Sequence, residues 1–230
     1  MAAPLKPGFK IVKSYERGDP AIVEKFKGLA SANISDVQGR QNTFHARIKP
    51  IYQPMRRLCG TALTVKARPG DNLLATKAIH MAQPGDVIVI SSEYEESLTV
   101  WGGVMATMAA AKGVAGIVTD GVARDIAECR AVDLPVYAIG VTPVGPSKNG
   151  AGQINTTISC GGVIVHPGDI IVGDEDGVVV VYKDEAEAVL DRTYGRMEVE
   201  RQWMEQIAAG ETILPVTDDE LRALGAEIVE

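Results

Sequence analysis

The chain has 230 residues, with 23 Lys+Arg against 30 Asp+Glu, a formal charge of −7, and 46% hydrophobic and 23% charged residues. An acidic balance without any Lys/Arg run excludes a general nucleic-acid binder, which needs a basic face to meet phosphate, and the apolar content is that of a globular protein rather than a disordered one. Gly, Pro or charge breaks every apolar run before it reaches the ~20 residues of a membrane helix, and MAAPLKPGFK at the N-terminus has no apolar signal stretch, so a cytoplasmic protein is expected, without membrane or nucleic-acid partners.

Cys59, Cys129 and Cys160 stand at long, unrelated spacings. They fit neither a disulfide framework nor a C-x-x-C metal motif, and read as buried structural thiols. Aromatic residues are only 5%, so the core must rest on Ala, Val, Ile and Leu. The 24 glycines imply many tight turns or close backbone approaches.

No Ser/Gly/Pro-rich linker divides the chain, which reads as an N-terminal extension (1–20), one core (21–183) and a C-terminal helical segment (184–230) packing on the core or on a neighbouring subunit. Residues 21–39 have apolar residues at helical spacing, with Ser31 to Ser35 ending one helix and capping the next. A polar loop with His45 and Pro50 follows. Then come a strand at 59–67, a turn at 69–72 (PGDN), a helix in LLATKAIHMA, a QPGD turn and a strand at 87–91. The alternation repeats with a helix at 102–113 ended by Gly113, a buried strand at 115–120, a helix in RDIAECRAV and a strand in PVYAIG. Residues 156–182 are strand-rich with two turns, predicting a second, antiparallel β layer, and 184–209 and 218–225 read as helices. The PGD turn recurs in AQPGDVIVI and VHPGDIIVG, where it is good turn chemistry before a strand. Strands alternating with helices predict an α/β fold with a layered, partly parallel sheet.

Chemistry concentrates in 101–128, WGGVMATMAAAKGVAGIVTDGVARDIAE. Gly102 and Gly103 open a predicted helix, whose first N–H groups lack intrahelical partners and favour a bound carboxylate. Two glycines also simply permit a tight helix entrance. Asp120, Arg124 and Asp125 follow the next strand, on the side where open α/β sheets bind ligands. A guanidinium takes a carboxylate in a two-pronged hydrogen bond, and a hard carboxylate suits Mg²⁺ or Mn²⁺. Together such groups would hold a 2-oxo acid and stabilise its enolate.

The array GTALTVKARPGDNLLATKAIHMAQPGDVIVI, WGGVM, AGIVTDGVARD, LPVYAIG and VHPGDIIVGDEDGVVVV resembles the RraA-like family over roughly residues 20 to 210. That family includes class II aldolases acting on 4-hydroxy-4-methyl-2-oxoglutarate and 4-carboxy-4-hydroxy-2-oxoadipate, and the regulator of ribonuclease activity A. The resemblance implies a layered β/β/α single domain of the swivelling type with a C-terminal helical tail. It implies that Arg124 grips the pyruvyl carboxylate and stabilises the enolate, that Asp125 binds the metal directly, that Val104 and Met105 give backbone N–H groups to the carboxylate, and that Asn72 lines the pocket. It further implies a trimer or a hexamer, in which Glu198 or Glu200 from a neighbouring subunit approaches the waters of the metal.

One departure stands out. Aldolases of the family carry Asp or Glu where this chain has Gly103, and Asp120 or Glu128 are the candidates to compensate. The expected activity is release of pyruvate from a 4-hydroxy-2-oxo acid, accompanied by oxaloacetate decarboxylation. The alternatives are a family enzyme with another 2-oxo acid substrate and a regulator that binds a protein partner. His45, His80 and His166 share no metal-ligand spacing. Lys66 and Lys77 raise a Schiff-base alternative that needs a desolvated lysine, and Lys77 reads as solvated. Residues 147–150 (SKNG) read as a surface turn, and the acidic 93–97 as a solvated loop or a rim of the cleft.

Overall fold

The computed structural model describes residues 7–211 and 217–229. In chain order the elements begin with β1 (Lys10–Ile11), α1 (Pro20–Phe26), α2 (Ser31–Val37), β2 (Lys49–Pro50), β3 (Leu58–Lys66), α3 (Leu73–Met81) and β4 (Asp86–Ser91). The middle of the chain forms β5 (Thr99–Trp101), α4 (Gly103–Ala111), β6 (Gly116–Thr119), β7 (Val122–Ala123), α5 (Ile126–Ala131), β8 (Val136–Ala138) and β9 (Gly140–Val141). The last part comprises β10 (Gln153–Ile154), β11 (Ile158–Cys160), β12 (Val163–Val165), β13 (Ile170–Gly173), β14 (Val178–Val181), α6 (Ala186–Ala208) and α7 (Asp218–Ala223).

Strands β3, β4, β6 and β8 lie side by side and parallel, each linked to the next by one of the helices α3, α4 and α5. One edge of β3 pairs with β4 from Thr61 to Lys66, while the other is shared, pairing with β10 at Val65 and Lys66 and with β13 from Leu58 to Thr61. The β13–β14 hairpin thus extends the sheet from the first half of β3 only. The predicted antiparallel layer is this hairpin together with β11–β12.

The period of two along the strands decides the layering. In β4, Ile88 and Ile90 pack with α3 and α4, whereas Val87 and Val89 face the antiparallel strands beside Ile158, Cys160 and Val178. In β14, Val178 and Val180 enter that same inner layer, and Val179 and Val181 face Phe26, Ile34, Val189 and Leu190 of the helices α1, α2 and α6. The outcome is a mixed α/β single domain in which helices flank both the parallel and the antiparallel strands. Fully burying one such aliphatic side chain contributes about 1.5–3 kcal/mol, so strands apolar on both faces hold the layers on either side together.

Local boundaries differ from expectation for identifiable reasons. Helix α2 begins at Ser31, and the Ser31 hydroxyl, instead of capping the helix, donates to Asp174 at 2.6 Å. Helix α5 starts at Ile126 rather than Arg124, because Arg124 N–H still bonds to Trp101 O beside the β5–β7 pair and Asp125 takes a left-handed conformation (φ 57°, ψ 52°). Residues 1–6 of the N-terminal extension lie outside the described residues. The following stretch runs along the sheet, with β1 parallel to β10 and Arg17 in a two-pronged pair with the fully buried Asp86. At the other end, α6 buries Ala186, Val189, Leu190 and Thr193 in its first turns and exposes its later ones. Helix α7 opens with a capping box between Thr217 and Glu220. Among the described residues no helix is long and apolar enough to cross a membrane.

Candidate active site

Segments beyond the carboxyl ends of β3, β4 and β6, joined by Pro146 and Lys148 from the segment after β9, enclose a cleft of about 230 Å³ on the side of the flanking helices. The loop after β3 supplies Asn72, the segment after β4 supplies Trp101, Gly102, Val104 and Met105, and the segment after β6 supplies Arg124 and Asp125.

Gly103 N–H, at the first position of α4, donates to Asp125 Oδ2 at 3.0 Å, and Arg124 Nε lies 3.3 Å from the same oxygen. Asp125 therefore presents one carboxylate oxygen to the protein, and its side chain is still 37% exposed. The left-handed backbone of a non-glycine residue costs on the order of 1 kcal/mol, and it turns this carboxylate toward the entrance of α4. Val104 and Met105 follow in the first turn, where N–H groups have no intrahelical acceptor. The glycine pair is required by close approach: a Cβ on Gly102 would lie 2.9 Å from Asp125 Oδ2, and one on Gly103 would lie 2.7 Å from the Cβ of Glu128.

Asn72 is 6% exposed; its Nδ2 points at Met105 Sδ (3.2 Å), and its Oδ1 has no hydrogen-bond partner among the described residues. Thr99 Oγ1 and Trp101 Nε1, on two further residues of the cleft, are likewise buried and unpartnered. A buried polar atom without a partner costs roughly 1–3 kcal/mol, so three around one cleft point to a ligand that engages such groups.

Asp71, in the PGDN turn, fixes the geometry of this side of the cleft. Its carboxylate accepts from Ser147 Oγ (2.6 Å), Asn149 N–H (2.7 Å), Gly150 N–H (2.8 Å) and Leu73 N–H (2.9 Å). Burial alone would raise its pKa, but these hydrogen bonds outweigh it and hold the carboxyl below its ordinary value. Asn72 N–H in turn bonds to Ser147 O at 3.1 Å. The 147–150 turn lies at the surface, with Lys148 and Asn149 exposed, and is at the same time fastened to the cleft, which Lys148 lines.

Other expected residues fall elsewhere. Asp120 is not brought to Arg124: it is 2% exposed on the antiparallel side, where Ser92 N–H (2.5 Å) and Gly161 N–H (3.3 Å) donate to its two oxygens. Burial, assisted by Glu93, raises its pKa against those two bonds. It lines a separate cavity of about 390 Å³ with Lys66, Glu93 and Tyr94, so the 93–97 loop rims that cavity and not the Arg124 cleft. Glu198 and Glu200 lie on α6 and are not among the described residues that line the cleft. Glu198 is paired with Arg201, which with Gln202 lowers its pKa to about 2, and Glu200 accepts from Asn33 Nδ2 at 2.5 Å and meets Arg196 at 3.1 Å. His45 and His166 pack against Tyr94 and Tyr182, His80 and Lys77 lie exposed on α3, and the three cysteines are free thiols. Burial pushes Cys59 up to about 12 and Cys129 up to about 11, which leaves them inert at neutral pH. Among the described residues no three His, Cys, Asp or Glu side chains form a metal-binding group.

The family model described as RraA-like, Aldolase/RraA, matches residues 31–180, which spans the parallel strands, the cleft and the antiparallel layer. The chain belongs to the RraA-like family. This RraA-like protein is 39% identical over 171 residues, 74% of its own length and 81% of the other, to a Halalkalibacterium halodurans protein named "Putative 4-hydroxy-4-methyl-2-oxoglutarate aldolase". Among solved structures it is similar to a Pseudomonas syringae pv. tomato protein (TM-score 0.76, 28% identity, 86% of this chain and 97% of that one). It is also similar to Streptomyces coelicolor RraAS2, described as an unusual member of the RNase ES inhibitor RraA family (TM-score 0.72, 26% identity, 83% of this chain and 100% of that one).

Proposed function

We propose that this chain is a divalent-metal-dependent lyase that cleaves a 4-hydroxy-2-oxo acid, of the 4-hydroxy-4-methyl-2-oxoglutarate or 4-carboxy-4-hydroxy-2-oxoadipate type, to pyruvate, with oxaloacetate decarboxylation as a companion activity. The observation that carries this reading is the convergence of Arg124, Asp125 and the first turn of α4 on one small cleft. Similarity to a protein named as an aldolase supports it.

The donor set fits Mg²⁺ or Mn²⁺, which needs few protein ligands because it retains waters. Asp125 has a carboxylate oxygen to spare, and Asn72 Oδ1 is a buried oxygen acceptor without a partner. Held by these two residues, the ion would supply positive charge at the keto oxygen of the substrate. The remaining work belongs to the chain. Val104 and Met105 N–H groups and the Arg124 guanidinium bind the 2-oxo acid carboxylate, and Arg124 offsets the charge that grows as the C3–C4 bond breaks.

Cleavage also requires a base for the C4 hydroxyl. Glu128 is the fitting candidate, because its Cβ lies 2.7 Å from the point where a side chain on Gly103 would begin. It stands exposed on α5, beside the residues that line the cleft. The proton passes from the hydroxyl to Glu128, the C3–C4 electron pair moves to the enolate of pyruvate, C4 becomes a carbonyl, and protonation at C3 releases pyruvate. Oxaloacetate needs no such base, since loss of CO₂ leaves the same enolate. A contribution from Glu198 or Glu200 would come from a second copy, in the trimer or hexamer we propose.

The test is pyruvate release from oxaloacetate and from 4-carboxy-4-hydroxy-2-oxoadipate with Mg²⁺ or Mn²⁺, then with chelator. Metal-dependent turnover of both supports the reading. Turnover of oxaloacetate alone moves the substrate to another 2-oxo acid, and silence on both favours a regulator that binds a protein partner.

A further inference from the structure

The cleft contains a cation that pyruvate chemistry leaves without a task. Lys148, exposed on the 147–150 turn, lines it together with Arg124. Arg124 leans on Asp125 at 3.3 Å, but Lys148 has no carboxylate partner among the described residues. Its place is nonetheless built with care. Ser147, on one side of it, donates its hydroxyl to Asp71 and its N–H to Gly70 O (2.8 Å), and Asn149 and Gly150, on the other, donate their N–H groups to Asp71. That anchoring fixes the backbone from which Lys148 reaches the cleft.

Charge and chemistry narrow what this ammonium meets. Among the described residues lining the cleft, Arg124 and Lys148 oppose a single carboxylate, Asp125, and much of the remaining wall is apolar, with Val104, Met105 and Met108. A substrate with one carboxylate, taken up by Arg124 and the α4 amides, leaves Lys148 unmatched. One with two matches both.

We infer that Lys148 determines specificity: it binds a second carboxylate, on the far side of the scissile bond from the keto group, and selects dicarboxylic over monocarboxylic 4-hydroxy-2-oxo acids. This rests on the reading of the cleft as an enolate site. Lys148 takes no part in the bond cleavage itself.

Calorimetric titration in Mg²⁺ separates the two ideas, using pyruvate and the unreactive diacid 2-oxoglutarate against the wild type and Lys148→Met. The expected result is that the variant binds 2-oxoglutarate roughly tenfold or more weakly, as for loss of a charge-assisted hydrogen bond, while its pyruvate affinity stays within about twofold. In turnover the same factor should appear in KM for 4-hydroxy-4-methyl-2-oxoglutarate, and not for the monocarboxylic 4-hydroxy-4-methyl-2-oxopentanoate. Equal losses for both ligands, or no loss for either, overturn the role of Lys148 while pyruvate binding by the wild type preserves the enolate site. Failure of the wild type to bind pyruvate overturns that site and this inference with it.

Discussion

Asp120 and Asp125 are five positions apart in one segment, yet they serve opposite sides of the sheet. Asp120 has each oxygen engaged by a backbone N–H and almost no exposure, and it ties the ends of β4 and β11 together. Asp125 spends one oxygen on the entrance of α4 and keeps the other toward an open cleft. The difference teaches that proximity in sequence is a poor guide to a shared site, and that unspent hydrogen-bonding capacity is a better one. A carboxylate saturated by amides holds a fold; one with an oxygen to spare beside unpartnered polar neighbours is positioned to bind.

The comparison breaks most visibly at Arg124 and Asp125. Arg124→Ala and Asp125→Ala should each lower both aldol cleavage and oxaloacetate decarboxylation by about 10³-fold or more, with folding intact by circular dichroism, because each removes charge at the developing enolate. Retained turnover in either variant sinks the assignment. Next in size, Glu128→Gln should lower aldol cleavage about 100-fold, the lower end of what a positioned base contributes, while decarboxylation stays within a few-fold. Equal loss of both activities would show Glu128 to be structural.

Asp71 and Asp120 sharpen the contrast through pH. The Asp71 carboxyl sits below its ordinary 3.8 in the folded protein, so its contribution to stability is present above 3.8 and is lost as pH falls through the lowered value. Asp120 is raised, so its contribution is full below 3.8 and is lost as pH rises through the raised value. Urea unfolding against pH should therefore show Asp71→Asn flattening the acid limb and Asp120→Asn acting with the opposite sign. Asp71→Asn should also raise KM several-fold by loosening Asn72 and Lys148. The smallest effect on turnover is expected at Asp120→Asn: a stability loss of about 1–3 kcal/mol with activity per folded molecule unchanged. A large loss of kcat there would return Asp120 to the catalytic set.

The repeating strands and helices were legible because 88–90 and 117–118 alternate cleanly between two apolar faces, and the entrance of α4 was legible because two glycines precede a run of helix formers. Other features rest on contacts that no local pattern encodes. The β5–β7–β9 sheet consists of two- and three-residue strands, too short for any periodicity. Asp71 reaches 76 residues along the chain to Ser147, so a fastened, cleft-lining turn looked like a free one. The two-residue β7 between Asp120 and Arg124 is too short to show in the sequence that their side chains leave on opposite sides. Trp101 and Thr99 reveal themselves only as buried atoms left without partners.

The crowding between position 103 and Glu128 constrains the order in which such sites can change by descent. A side chain on Gly103 would begin inside the space Glu128 occupies. Because the contact is between β-carbons, shortening Glu128 does not relieve it, so a lineage that places a side chain at 103 must first separate α4 from α5.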